Sequence, residues 1–217
     1  MIELQNVSFS FKDEKVLSDI NIRINDSEFI GVIGSNGAGK TTLIRLILGI
    51  LKPTSGKVIR TDKKISYVSQ TTSLNDSSFP SSVEEIVGLG LATNRPFIFD
   101  YKKNKKIIED TMKEVGIYDI RKKLVSELSG GQLQKVKIAK ALVSSPTIFV
   151  LDEPDAGMDE KSHQKLIETI NQLHSDKKMT VIFISHHMDD LNNADNIFLV
   201  ENGIVHSVKE GEKHVSI

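Results

Sequence analysis

The stretch Phe29-Ile30-Gly31-Val32-Ile33-Gly34-Ser35-Asn36-Gly37-Ala38-Gly39-Lys40-Thr41-Thr42-Leu43-Ile44-Arg45-Leu46-Ile47-Leu48 decides the reading of this chain. It opens with a continuous apolar run, as expected of a strand buried on both faces of a parallel sheet. It closes with apolar residues at helical spacing, Leu43, Ile44, Ile47 and Leu48. Between the two, Gly34 to Thr41 fits GxxxxGK[ST], so the pattern stands in the strand–loop–helix context that a phosphate loop needs. Glycines let backbone N–H groups turn inward around an anion, and Lys40 brings a positive charge to the β and γ phosphates. The Thr41 hydroxyl suits Mg²⁺, and Thr42 suits the α phosphate. A glycine-rich turn with a surface lysine is the plain alternative, and the flanking strand and helix weigh against it.

Working outward, Ile148-Phe149-Val150-Leu151-Asp152-Glu153 is a second apolar strand, ending in adjacent carboxylates at the edge where α/β sheets present ligands. Asp152 is the candidate Mg²⁺ holder and Glu153 the candidate base for an attacking water. Alone, an Asp-Glu pair after a strand would be only suggestive. Leu128-Ser129-Gly130-Gly131-Gln132 opens a helical pattern, Leu133, Val136, Ala139 and Leu142, that stops before Pro146. Ser129 can cap that helix, and the N–H groups of its first turn, with the helix dipole, favour an anion. Thr180 to Ile184 is a third buried run, preceded by the helical spacing of Leu166, Ile167, Ile170 and Leu173, and Ile65 to Val68 joins the same set.

Alternation of apolar and polar residues at Ile2, Leu4, Val7, Phe9 and at Ile20, Ile22, Ile24 predicts half-buried antiparallel strands. Asn202-Gly203 between Ile197–Val200 and Ile204–Val208 predicts a hairpin. From Thr71 to Val136 the chain is first rich in Ser, Asn and Lys and then helical around Ile107, Ile108, Met112 and Val115, which reads as an inserted helical lobe. The expected class is α/β: a phosphate-loop core with a mostly parallel sheet, an N-terminal antiparallel β subdomain and a helical insertion. One domain spans 1–217, with the core at about 1–70 and 137–217 and the lobe at about 71–136.

Composition narrows the function classes. With 28 Lys+Arg against 29 Asp+Glu in 217 residues there is no basic field for coating nucleic acid. No Cys removes disulfides and thiol chemistry and fits a reducing compartment. The apolar stretch Leu43 to Leu51 is broken by Arg45 and falls short of the ~20 residues that a bilayer span requires. Met1 to Gln5 has the features of no secretory signal. The lysines at 102, 103, 105 and 106 read as a solvated helix start.

With these segments in order, the sequence resembles the ATP-binding subunits of ABC transporters; Leu128 to Gln132 is that family's signature. The resemblance implies roles for further residues. Gln70 takes the place of the glutamine that contacts Mg²⁺ and the lytic water, and His186 that of the histidine on the γ phosphate. Asp159 matches the aspartate of a loop crossing the dimer interface, and Phe11 the aromatic that stacks on adenine. His187 competes with His186 for its role, and Phe9 with Phe11. The family pattern also implies that Ser129, Gly130, Gly131 and Gln132 serve ATP in trans, so that two copies of the chain sandwich two Mg-ATP. Asp155 stands where Thr is usual, Met158 where Leu is common, and Lys135 where Arg is frequent. None removes a catalytic group.

Phe79 to Val87 and Gly116 to Lys123 look like the zinc and manganese importer branch. That implies a peripheral subunit on the cytoplasmic face of the membrane. Its expected partners are integral permease subunits and an extracellular or periplasmic solute-binding protein, without nucleic acid. Metal would pass through the permease, since His163, His174, His186, His187, His206 and His214 are scattered without a visible ligand quartet. A soluble ATPase of a cytosolic assembly such as iron-sulfur cluster biogenesis, or a transporter ATPase for another solute, would carry the same ATP motifs. ABC ATPases of translation or DNA repair commonly need tandem halves or a coiled-coil insertion, for which 217 residues leave little room.

Overall fold

The computed structural model describes residues 1–61, 64–69, 80–91, 101–155 and 158–208. Strands β1 (Ile2–Phe11) and β2 (Glu14–Ile24) pair antiparallel with Ile2 opposite Ile24 and Phe9 opposite Leu17, so their apolar residues share one buried face. The step from Leu4 to Val7 breaks strict alternation because the register shifts there, with Asn6 at φ 50° forming a bulge. On the far side of β1 lies β4 (Ser55–Arg60). Sequence periodicity misses this strand because it is exposed almost throughout and carries no alternating apolar face.

The main sheet runs in the order β5 (Ile65–Val68), β6 (Ile148–Asp152), β7 (Thr180–Ile184), β3 (Phe29–Ile33), β8 (Asn196–Glu201), β9 (Ile204–Val208). The first five are parallel, and β9 returns antiparallel through Asn202 at φ 49° and Gly203 at φ 76°, both positive as a type I′ hairpin turn demands. Every residue of β3, β6 and β7 is buried because each strand feeds two cores. Ile30, Val32, Ile148, Val150, Ile182 and Ile184 pack with helix α1 (Lys40–Leu48) and the antiparallel sheet. Phe29, Ile33, Phe149, Leu151, Val181 and Phe183 pack toward the remaining helices.

Those helices are α2 (Val83–Leu89), α3 (Tyr101–Glu114), α4 (Gly130–Leu142) and α5 (Glu160–Lys177). Helix α2 starts in a capping box between Ser82 and Glu85 and ends at Gly90, where a Cβ would fall 1.9 Å from the Lys140 carbonyl oxygen of α4. Only glycine permits that approach. Ile108, Met112 and Val115 of the predicted helical face are buried, whereas Ile107 turns outward. In α4, Ile138 joins Val136, Ala139 and Leu142 in the core, and Leu133 is half-buried. Because β6, β7 and β3 are parallel neighbours, whatever follows each of them emerges at one sheet edge.

Candidate functional site

After β3 the chain turns through Gly34 (φ 149°), Gly37 (φ 81°) and Gly39 (φ 105°) into α1. At Gly34 the requirement is absolute, since a Cβ would lie 2.2 Å from the Val200 carbonyl oxygen of β8. Above Gly37 a Cβ would meet nothing within 4 Å; the loop there faces open space. A cleft of about 230 Å³ opens over it, lined by Val16, Asn36, Gly37, Gly39, Lys40, Thr41, Thr42 and Glu153. The Lys40 ammonium donates to the Gly34 carbonyl at 2.8 Å and the Ser35 carbonyl at 3.2 Å, folding its own loop beneath it. Ser35 and Asn36 are exposed, and Ala38 donates its N–H back to the Ser35 carbonyl at 3.2 Å.

The two carboxylates that end β6 take different environments. Asp152 is buried and accepts a 2.8 Å hydrogen bond from the Tyr67 hydroxyl. Burial raises its pKa above the ordinary carboxylate value and the neighbouring Glu153 adds to this, while the Tyr67 hydroxyl, Lys40 and Arg45 oppose it. Tyr67 is pushed up in turn, first by burial and then by its bond to Asp152. Sequence reading did not single out Tyr67; a tyrosine in a sheet strand whose hydroxyl needs a partner was the available signal.

Glu153 adopts φ 47°, uncommon for a residue with a side chain. Its N–H continues the β6–β7 ladder to the Ile184 carbonyl at 3.2 Å, which puts it beside the segment Ser185-His186 that follows β7. There His186 Nε2 lies 2.7 Å from Glu153 Oε1, and the same oxygen lies 3.8 Å from Lys40 Nζ. One carboxylate oxygen thus bridges the lysine of the loop and the histidine after β7. His186 keeps 42% of its side-chain surface exposed; His187 turns elsewhere, its N–H bonding the Ser185 hydroxyl oxygen and its ring meeting His163.

Ser129 caps α4: its hydroxyl oxygen accepts from the Gln132 N–H, and the Gln132 side-chain oxygen accepts from the Ser129 N–H. The first-turn N–H groups of Gly130 and Gly131 have no acceptor inside the helix. A Cβ on Gly131 would sit 3.5 Å from Ser162, so the starts of α4 and α5 adjoin. Asp159 caps α5 by accepting from the N–H and hydroxyl of Ser162, and these bonds lower its pKa below the ordinary value. Of the two aromatics, Phe9 belongs to the core and Phe11, 48% exposed at the end of β1, packs edge-to-face on it with centroids 4.7 Å apart. Gln70 lies outside the described residues. Asn36, Gly37, Gly39, Lys40, Thr41, Thr42 and Glu153 therefore line one cleft, with Asp152 next to Glu153 in the chain and His186 in contact with Glu153, whereas Ser129 and Asp159 line no part of it.

The ABC transporter family model matches residues 17–156. The zinc uptake system ATP-binding protein ZurA of Listeria innocua is 36% identical over 203 residues, covering 88% of this chain and 79% of that protein. The high-affinity zinc uptake system ATP-binding protein ZnuC of Bacillus subtilis is 32% identical over 212 residues, covering 94% and 92%. Among solved structures, a dimeric bacterial ABC transporter cassette, MJ0796, superposes with TM-score 0.83 at 27% identity over 96% of this chain and 98% of that one. The post-hydrolysis form of MJ0796 bound to ADP and Pi does so with TM-score 0.83 at 26% identity.

Proposed function

The chain belongs to the ABC transporter family, and from that premise we propose that it is the ATP-hydrolysing subunit of an importer for a divalent metal ion, zinc or manganese. The bridge from Lys40 through Glu153 Oε1 to His186 carries the hydrolytic part of this reading. The metal part rests on the likeness to ZurA and ZnuC, both named for zinc uptake. ATP is the substrate. Its β and γ phosphates occupy the cleft above Gly37, where Lys40 and the start of α1 favour anions. As the γ phosphate arrives it takes over Lys40 as counter-charge and His186 as hydrogen-bond partner, and Glu153 is released from its bridge to accept a proton from water.

Mg²⁺ fits the oxygen donors at this edge, the exposed Thr41 hydroxyl and the Asp152 carboxylate, with Gln70 as a further candidate, and when bound would offset phosphate charge. Phe11 has the exposure that stacking on adenine requires. Ser129, Gly130, Gly131 and Gln132 lie apart from the cleft of their own chain, which suits service to the ATP of a second copy. Asp159 then sits at the seam. ATP closes the dimer by sharing its negative charge between two positive rims, and hydrolysis removes the bridge. The chain works as one ATPase domain, core about 1–70 and 137–217 with a lobe at about 71–136. Among the described residues no helix is long and apolar enough to cross a membrane. The likeness to ATP-binding subunits of uptake systems supports coupling to separate permease subunits and a solute-binding protein, with the chain peripheral on the cytoplasmic face.

The test is the zinc and manganese content, and growth under chelation, of cells in which the chain is deleted or replaced by the Glu153→Gln form. Depletion of one metal, restored by supplying that metal outside, is the expected result. Unchanged levels of both would overturn the metal assignment while leaving the ATPase intact.

A further inference from the structure

A second imidazole–carboxylate constellation lies outside the phosphate cleft. His163, in the first turn of α5, sets Nε2 2.6 Å from Asp190 Oδ1 and Nδ1 3.2 Å from Asp155 Oδ2. Asp155 stands two residues beyond Glu153. Asp190 lies in the short 3₁₀ turn Met188–Leu191 after β7 and accepts from the Ser185 hydroxyl. The His187 ring stands edge-on to His163 with centroids 5.8 Å apart. The fold therefore brings two histidines and two aspartates together from two stretches, 155–163 after β6 and 187–190 after β7, that are far apart in sequence.

Three features favour a cation here. One ligand atom from each of Asp155, His163 and Asp190 lies within 4.8 Å of the others, close enough to converge on one ion by side-chain rotation. Asp155 and His163 are each 19% exposed, so the cluster is reachable, while Asp190 is buried and desolvated. Among the described residues neither aspartate has a lysine or arginine partner, so two carboxylates face at most the single charge of one imidazolium. A dication balances them. Imidazole with carboxylate suits zinc-class ions, whereas Mg²⁺ and Ca²⁺ prefer all-oxygen sets.

We propose that Asp155, His163 and Asp190, with His187 at the rim, form a binding site for a divalent transition-metal ion of the zinc class, separate from the Mg-ATP site. The ion replaces the proton held between His163 and Asp190, and that proton leaves to solvent. Bound there, it ties the segment leading from Glu153 toward Asp159 to the segment carrying Ser185 and His186. Both segments serve the hydrolytic cleft, so occupancy slows ATP turnover. The site stands on these residues and does not depend on which solute the transporter moves.

The experiment is titration of the nucleotide-free purified protein with Co²⁺, read by visible ligand-field absorption, followed by competition with Zn²⁺. One equivalent of Co²⁺ with an absorption displaced by Zn²⁺ is expected. His163→Gln abolishes it, and Asp155→Asn weakens it at least ~10-fold. Asp155 is partly exposed, so its variant keeps the test valid if His163→Gln fails to fold. Zn²⁺ at saturating Mg-ATP slows wild-type hydrolysis and slows Asp155→Asn less. No ligand-field absorption in the wild type, or equal absorption in all variants, overturns the proposal; the latter assigns the metal to surface histidines only. Cellular metal content, which decides the import reading, is untouched by either result.

Discussion

Two imidazole–carboxylate pairs stand on the same pair of segments, and they differ in their surroundings. Glu153–His186 adjoins the phosphate cleft: a lysine ammonium shares its carboxylate oxygen, and the imidazole keeps a little under half of its surface exposed. His163 is held between Asp155 and Asp190 with no lysine or arginine partner on either aspartate among the described residues. A cation beside a movable carboxylate makes an exchange site for phosphate. Two carboxylates around one imidazole make a cation site or a structural clamp. Residue type alone does not separate the pairs; neighbouring charge and exposure do.

Substitutions at the two pairs split by kind as well as by size. Glu153→Gln lowers the ATP turnover number by at least ~10³-fold, about 4 kcal/mol of barrier, with nucleotide affinity retained. Undiminished turnover in a phosphate-release assay would remove Glu153 from the role of base. His186→Gln loses one stabilising contact to developing phosphate charge and slows turnover by roughly 10²-fold, with little change in melting temperature. A large stability loss there would erase the contrast.

His163→Gln acts in the opposite sense. It takes the imidazole away from the buried Asp190 carboxylate, 2.6 Å distant, and costs about 2 kcal/mol of stability in denaturant unfolding. A fall in turnover with unchanged unfolding would make the second pair part of the catalytic machinery instead.

The smallest effect concerns Asp152. Its pKa is raised in the folded state, so the folded protein binds the proton more tightly than the unfolded chain does, and stability is lost as pH rises through that raised value. Asp152→Asn, neutral at every pH, therefore melts at a higher temperature than wild type at neutral pH. The advantage vanishes below the unfolded carboxylate value of about 4. Calorimetry across that window checks it, and an advantage that grows toward acid would reverse the assignment of burial as the cause.

Much of this molecule is legible in one dimension because its elements carry local signals. Buried runs mark β3, β6 and β7, and Asn202-Gly203 marks the final hairpin. Ser129 with Gln132 reads as a helix start because a capping box is a four-residue object. Strand β4 escaped because it has no buried face to impose alternation. Tyr67 escaped because its partner Asp152 is 85 positions away and becomes a neighbour only when β5 pairs with β6.

A phosphate loop, a carboxylate strand end and a signature helix can be read along the chain, since each is a contiguous pattern whose chemistry is set by adjacent residues. Which side chains meet depends on how the strands are ordered in space. The parallel order of β6, β7 and β3 brings Glu153, His186 and Lys40 onto one oxygen and leaves His163 to Asp155 and Asp190. The physical reason is that ion pairing acts over a few ångströms through space, and the sheet register, fixed by burial on both faces, determines which distant residues come that close.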